Sequence, residues 1–367
     1  MIHITKTKLL LEKYQVRNMS PNMHFKKIRD QQGWAVTITG PEVVDLSPFD
    51  VPMTELAPDE VEGPTVSSLV SPGTEVNWYF KPSKVDVAKT KYPIIPGYAA
   101  VFEIRRVGSA VKAFVPGDLV LDISGLHASW QRAPAARLLK LPERLSPNHA
   151  TFARMISIPM AVLSTTMVRP PEPIGVSGLG LIGNLSANVM AISGYDVVAW
   201  DSDTRRRNLL RIPSVSVLPE APVPLGFASD DPDAIGRLSM VIECRGSPSE
   251  VIKSCATVCR GGEVVLVGVS WRASTEVSAH ELLRTIFHRY VSVRSGWEYQ
   301  IPFEANGFRG ASTRRNLITA LDWLATQRLL VDHLAENVSP ERATEVYQGL
   351  SSRSWPTLSA VFDWSQF

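Results

Sequence analysis

The chain has 367 residues, 44% hydrophobic and 20% charged, with a formal net charge of +2 at pH 7. That length predicts two ordinary domains, and the near-neutral balance excludes an electrostatic case for nucleic acid or an anionic membrane, leaving small molecules as the expected partners. No stretch approaches the roughly 18 uninterrupted apolar residues of a membrane span, and Leu9-Leu10-Leu11 is too short for a signal-peptide core, so the expected address is the cytoplasm.

Residues 1–30 carry mixed charge without a clear period and read as an appended arm. From W-A-V-T-I (34–38) to about 165 the signals are short β-type runs closed by turns. They are V-S-S-L-V before S-P-G-T, A-A-V-F-E-I before R-R-V-G, D-L-V-L-D-I before S-G, and L-L-K-L before P-E-R-L-S-P. A helical apolar period then runs to about 166 and is broken by R-P-P-E-P at 169–173. Beyond it strands and helices alternate: P-I-G-V-S, a glycine turn, a helix, Y-D-V-V-A-W-D, then S-M-V-I-E-C, E-V-V-L-V-G-V, a helix near 279–287, and V-S-V-R-S. Such alternation predicts a parallel sheet covered on both faces. Two helices, at 314–327 and in S-P-E-R-A-T-E-V-Y-Q-G-L, and a closing strand T-L-S-A-V-F-D-W complete the chain.

Cys244, Cys255 and Cys259 form neither a disulfide framework nor a paired C-x-x-C, and the seven histidines show no tight ligand spacing. Reduced, structural cysteines are expected, with no locally visible metal site.

Gly178-Leu179-Gly180-Leu181-Ile182-Gly183 is a G-x-G-x-x-G that follows a strand and opens a helix, with Asp201 at the end of the next strand. In a dinucleotide fold the first glycine makes the turn, the second admits the pyrophosphate and the third lets helix and strand pack. Asp201 is expected to accept the ribose hydroxyls and repel a 2′-phosphate, which favours NAD(H) over NADP(H). Arg205, Arg206 and Arg207 fit three roles: partner to a 2′-phosphate, stacking on adenine, or the solvated start of a helix.

The order of parts, with S-P-G-T-E (71–75), I-P-G-Y (95–98), V-G-S-A-V-K-A-F-V-P-G-D-L-V (107–120), L-L-K-L-P-E-R-L-S (138–146), the glycine turn, I-E-C-R-G (242–246) and G-G-E-V-V-L-V-G-V (261–269), resembles the medium-chain dehydrogenase/reductase superfamily. The resemblance implies an α/β fold, with a GroES-like β-rich catalytic domain at 31–165 and 300–367 and a Rossmann doubly wound parallel sheet at 166–299. It also implies contact of the nicotinamide with backbone near Val267, Gly268 and Val269, and a homodimer. S-P-G-T-E with P-G-Y is similar to the branch of bacteriochlorophyllide dehydrogenase-type enzymes, which implies an alcohol or ketone on a sizeable biosynthetic intermediate.

Where zinc-dependent relatives place their ligands this chain has Pro72, Tyr98-Ala99, Arg154 and Ile158, so no zinc is expected. Hydride transfer to a carbonyl builds negative charge on oxygen, and without a metal a side chain must donate to it. Tyr98 stands where the resemblance puts a metal ligand, Thr74 and Glu75 match a relay hydroxyl and the carboxylate behind it, and His127 is a candidate relay on a later segment. Trp297 and Tyr299 are candidate walls of a substrate pocket. Two other activities fit the same parts: NADPH-dependent reduction of an activated C=C bond, and a degenerate nucleotide-binding scaffold.

Overall fold

The computed structural model describes residues 32–52, 54–82, 91–224, 236–271, 277–308 and 310–367. The appended arm at 1–30 lies outside the described residues. The chain divides into two compact units, one running to Phe152 and resuming at Val331–Phe367, the other Ala153–Leu330.

The first unit is built on strands that satisfy their backbones antiparallel. A hairpin pairs β1 (Gln32–Gly40) with β2 (Val43–Asp50). A larger sheet is organised around β3 (Glu60–Leu69), which pairs with β4 (Ala100–Glu103), β5 (Arg106–Val107) and β7 (Trp130–Pro134), and continues through β6 (Leu119–Asp122) to β8 (Leu138–Lys140). The C-terminal segment closes it, with β16 (Ser359–Asp363) running antiparallel to β3 and parallel to β15 (Ala335–Val338). Its core includes Val36, Ile38, Phe80, Tyr347, Phe362 and Trp364, so residues more than 300 positions apart bury one another's apolar surface.

The second unit holds a six-stranded parallel sheet, order β11-β10-β9-β12-β13-β14. The strands are β9 (Pro173–Ser177), β10 (Asp196–Trp200), β11 (Ser216–Leu218), β12 (Leu238–Glu243), β13 (Val258–Leu266) and β14 (Ser292–Ser295). Alternate residues feed opposite faces, Met240, Ile242 and Val265 into one core and Val241 and Val264 into the other. That is the pattern of a parallel sheet buried on both sides.

The division differs from the sequence reading at both ends of this unit. Helix Ala153–Thr165 packs against the helices Leu181–Ile192 and Thr313–Ala325, so 153–165 and 300–330 group with the nucleotide-type sheet, not with the β-rich unit. An apolar helical stripe looks the same in sequence whichever sheet it covers.

Candidate active site and cofactor turn

In the second unit, β9 ends at Ser177 and the chain turns into the helix Leu181–Ile192, whose N-cap is Gly180. Gly178 has φ +87°, where a side chain is strained, and its amide is held by the Trp200 carbonyl at 2.8 Å. A Cβ on Gly183 would lie 1.7 Å from the Gly178 carbonyl oxygen, whereas one on Gly180 would meet nothing within 4 Å. No side chain caps the helix, so its first-turn amides, at Leu181 and Ile182, are left for an acceptor. A turn tight at two glycines and open at the third fits a dinucleotide's phosphates.

Asp201 is buried, and its contacts shape the turn. Its Oδ2 accepts the Leu179 amide at 2.8 Å and its Oδ1 the Asp203 amide at 2.9 Å, so the carboxylate ties the glycine turn to the end of β10. Two amides leave carboxylate lone pairs for hydroxyl donors. Arg206 stands 3.6 Å from Oδ2 and offsets the charge that would repel a 2′-phosphate. Arg205, Arg206 and Arg207 belong to a short helix, Thr204–Asn208, that Asp203 caps through the Arg205 and Arg206 amides.

Of the expected backbone contacts, Val267 and Gly268 spend their amides on the Glu243 carbonyl at 2.9 and 2.7 Å, locking the end of β13 to that of β12, while Val269 is exposed. Glu243 escaped the sequence reading. Its buried carboxyl accepts the Arg245 amide at 2.8 Å and the Gly246 amide at 3.0 Å. Burial nevertheless outweighs those two amides and pushes the carboxyl from its ordinary 4.5 up to about 7. A carboxyl that holds its proton more tightly folded than unfolded stabilises the fold below about 4.5 and loses that contribution as the pH rises to about 7. The contribution is about 3 kcal/mol. Glu243→Gln is therefore expected to be closest to wild type, or more stable, at pH 8, with wild type gaining on it steadily down to pH 4.5. Urea unfolding of both proteins across that range checks this, and parallel curves would assign the pH dependence to other groups.

In the first unit, Gly97, at φ +106°, lets I-P-G-Y lie on the His127 backbone. A Cβ there would come within 2.7 Å of the His127 amide, which donates to the Pro96 carbonyl at 2.8 Å. The half-buried Tyr98 phenol donates to Ser71 Oγ, and the Ser71 amide donates to Glu75 Oε1 at 2.7 Å. Glu75 is wholly buried, and its Oε2 also receives the Tyr347 hydroxyl at 2.5 Å and lies 3.0 Å from His127 Nε2. On the other ring edge His127 Nδ1 lies 2.8 Å from Ser68 Oγ, which accepts Trp364 Nε1–H at 2.9 Å. Donor counting sets the tautomer: the carboxylate needs a proton on Nε2, and the Ser68 hydroxyl then donates to Nδ1.

His127 and Glu75 are thus 0% exposed and joined to each other, so neither presents a side chain at the surface for direct contact with a substrate. The group nearest the surface in this cluster is Tyr98. Thr74, half-buried, ends the helical turn Pro72–Thr74 directly before Glu75. Burial and Glu75 raise the phenols on either side, Tyr347 well above its usual range and Tyr79 to about 12, the latter with help from Tyr98. Tyr347 and Trp364 were missed in sequence, because only the long return of the C-terminal segment brings them to Glu75 and Ser68; Ser71, four residues before Glu75, was missed although its contact is local.

Arg154, which the resemblance noted in the sequence sets at a zinc-ligand position, makes a two-point ion pair with Glu298 at 2.5 and 2.6 Å. Among the described residues no group of three or more His, Cys, Asp or Glu side chains is placed to hold a metal ion. Trp297 and Tyr299 flank Glu298, edge to face at 5.1 Å and exposed by 62% and 57%, so neither is buried packing. Burial raises the thiols of Cys244 and Cys255, the latter to about 12, so neither is poised as a nucleophile.

No family model matches the chain. An alcohol dehydrogenase of Geobacillus stearothermophilus is 22% identical over 217 residues, 49% of this chain and 62% of that relative, so the match spans less than two thirds of the relative's length. Galactitol-1-phosphate dehydrogenase from Escherichia coli superposes with a TM-score of 0.72 at 16% identity, over 90% of this chain and 99% of that one. The two chains share one fold, a parallel Rossmann-like sheet and a separate β-rich unit. A protein described as a short chain alcohol dehydrogenase from Escherichia coli CFT073 complexed with NADH (TM-score 0.70, 16% identity, 91% and 100% covered) and one described as a zinc-binding dehydrogenase from Sinorhizobium meliloti 1021 bound to NADP (0.68, 18%, 91% and 100%) share this fold. Among the described residues no helix is long and apolar enough to cross a membrane.

Proposed function

We propose that this chain is an NAD(P)(H)-dependent oxidoreductase that interconverts an alcohol and a ketone on a small-molecule biosynthetic intermediate, without zinc and as a cytoplasmic homodimer. The observation that carries the reading is the glycine turn. Gly183 is sterically obligatory and Gly180 stands open above an uncapped helix start, a combination that packing alone does not require. A bound nicotinamide would supply or accept the hydride.

The chain's own residues do the rest. First-turn amides after Gly180 receive phosphate charge, and Asp201 holds the turn in place while keeping lone pairs for ribose hydroxyls, which makes NAD(H) the preferred form. Arg206 beside Asp201 favours NADP(H) as the second reading. Tyr98 donates the proton to the carbonyl oxygen and takes it back in the reverse direction, with Ser71, Glu75 and His127 as positioning residues behind it. Zinc independence is supported by the side chains themselves: Pro72, Tyr98, Ala99, Arg154 and Ile158 supply no nitrogen, sulfur or carboxylate ligand of the usual kind.

Fluorescence titration of the purified protein with NADH and NADPH, followed by ketone reduction after dialysis against a chelator, tests the reading. NADH is expected to bind more tightly, and turnover to survive chelation. Absence of binding by either nucleotide, or activity restored only by added zinc, would overturn it.

A further inference from the structure

Arg245 lies in the loop leaving β12, and the sequence reading assigns it no role beyond its place in I-E-C-R-G. Its place in the sheet does. From β9 the chain proceeds to β10 on one side and from β12 to β13 on the other, so the strand order reverses between these two neighbours. In open α/β sheets a ligand lodges outside the carboxyl ends of the strands at such a reversal.

The two loops meet there. A Cβ on Gly178 would come within 2.4 Å of Arg245 Cγ and 3.3 Å of Cδ, so the arginine stem lies against the first glycine of the turn. The root of the side chain is fixed, because the Arg245 amide donates to the buried Glu243 carboxyl at 2.8 Å and the next residue, Gly246, has φ +70°. The head is not consumed. The side chain is 34% exposed, and its ion-pair partner among the described residues, Glu250, is 3.8 Å away, beyond hydrogen-bond reach. Lys253 holds that same carboxylate at 2.9 Å. A cation with a pinned root, a partly exposed head and a shared counter-charge therefore stands over the turn.

We propose that Arg245 is a cofactor-binding residue whose guanidinium donates to the diphosphate of the dinucleotide, an assignment that rests on the dehydrogenase reading above. The planar fork of an arginine suits phosphate oxygens, and the neighbouring uncapped helix start draws those oxygens to the same place. Arg205 and Arg206 follow β10, beyond the ribose-facing Asp201, and serve a different part of the ligand. Gly178 also acquires a second purpose: its missing side chain admits the arginine stem as well as the turn.

The test measures dissociation constants of wild type, Arg245→Gln and Arg245→Lys for NADH by fluorescence, and for ADP and phosphate-free adenosine by competition. Far-UV circular dichroism controls for folding. Arg245→Gln is expected to weaken NADH and ADP by about tenfold or more, the worth of a charge-assisted hydrogen bond. Arg245→Lys should recover part of the loss and adenosine should be unaffected. The salt dependence of NADH binding should be shallower in Arg245→Gln. Unchanged or tighter NADH binding in Arg245→Gln overturns the assignment, the latter meaning that the side chain obstructs the crevice. Equal losses for adenosine and ADP overturn it as well. Wild-type protein that binds no dinucleotide overturns the dehydrogenase reading itself, and the assignment falls with it.

Discussion

Tyr98→Phe is expected to lower turnover of any ketone the wild-type protein reduces by about 10²- to 10⁴-fold, the usual contribution of a positioned general acid. NADH affinity should stay within about twofold, because the groups proposed to grip the nucleotide, the first-turn amides and Asp201, are left unchanged by the substitution. The phenol is the outermost group of a chain of hydrogen bonds running through Ser71 to the buried Glu75 carboxylate. In the phenylalanine variant Ser71 loses one partner, which costs about 1 kcal/mol, too little to unfold the unit. Steady-state kcat, measured beside the NADH dissociation constant, separates chemistry from binding. Near-wild-type kcat would make Tyr98 a space-filling aromatic and would send the search for the acid elsewhere.

Gly183→Ala and Gly180→Ala are expected to fail in opposite ways. The new methyl at 183 would sit 1.7 Å from the Gly178 carbonyl oxygen, a backbone atom whose residue is tied to Trp200. No side chain can swing aside to relieve that contact, so the second unit should lose about 3 kcal/mol or more of stability. At 180 the methyl meets nothing within 4 Å and φ is an ordinary −64°, so the folded protein should tolerate it. What the methyl meets is the incoming pyrophosphate. Thermal unfolding should therefore fall for Gly183→Ala alone, and NADH affinity should fall about tenfold or more for Gly180→Ala at unchanged stability. A Gly180→Ala protein that binds NADH like wild type would remove the ligand from this turn.

What was legible in sequence is what local physics dictates. Short β-type runs closed by turns became β1, β3, β4, β6 and β8, and apolar runs between helices became the parallel strands β9, β10, β12, β13 and β14. The three glycines of the turn were readable because they fall within six residues, Gly178 and Gly183 answering backbone demands and Gly180 leaving open space. Short strands with polar residues were not: A-E-N-V at β15 earns its place only by pairing with β16. The helix Pro248–Thr257 was likewise passed over in sequence.

Only the tertiary structure decided which side chains share a site. Sequence could nominate Tyr98, Glu75 and His127 by analogy, but it could not tell a relay at a surface from a carboxylate and imidazole enclosed by Tyr347, Ser68 and Trp364, contributed from 272 to 296 positions away in the two longest pairs. Nor could it show Arg245 resting on Gly178, since those residues meet only because β9 and β12 are neighbours in the sheet. Periodicity and glycine spacing are short-range consequences of covalent geometry. The company a charge keeps is set by burial across the whole chain, and that decides whether a group acts, positions, or packs.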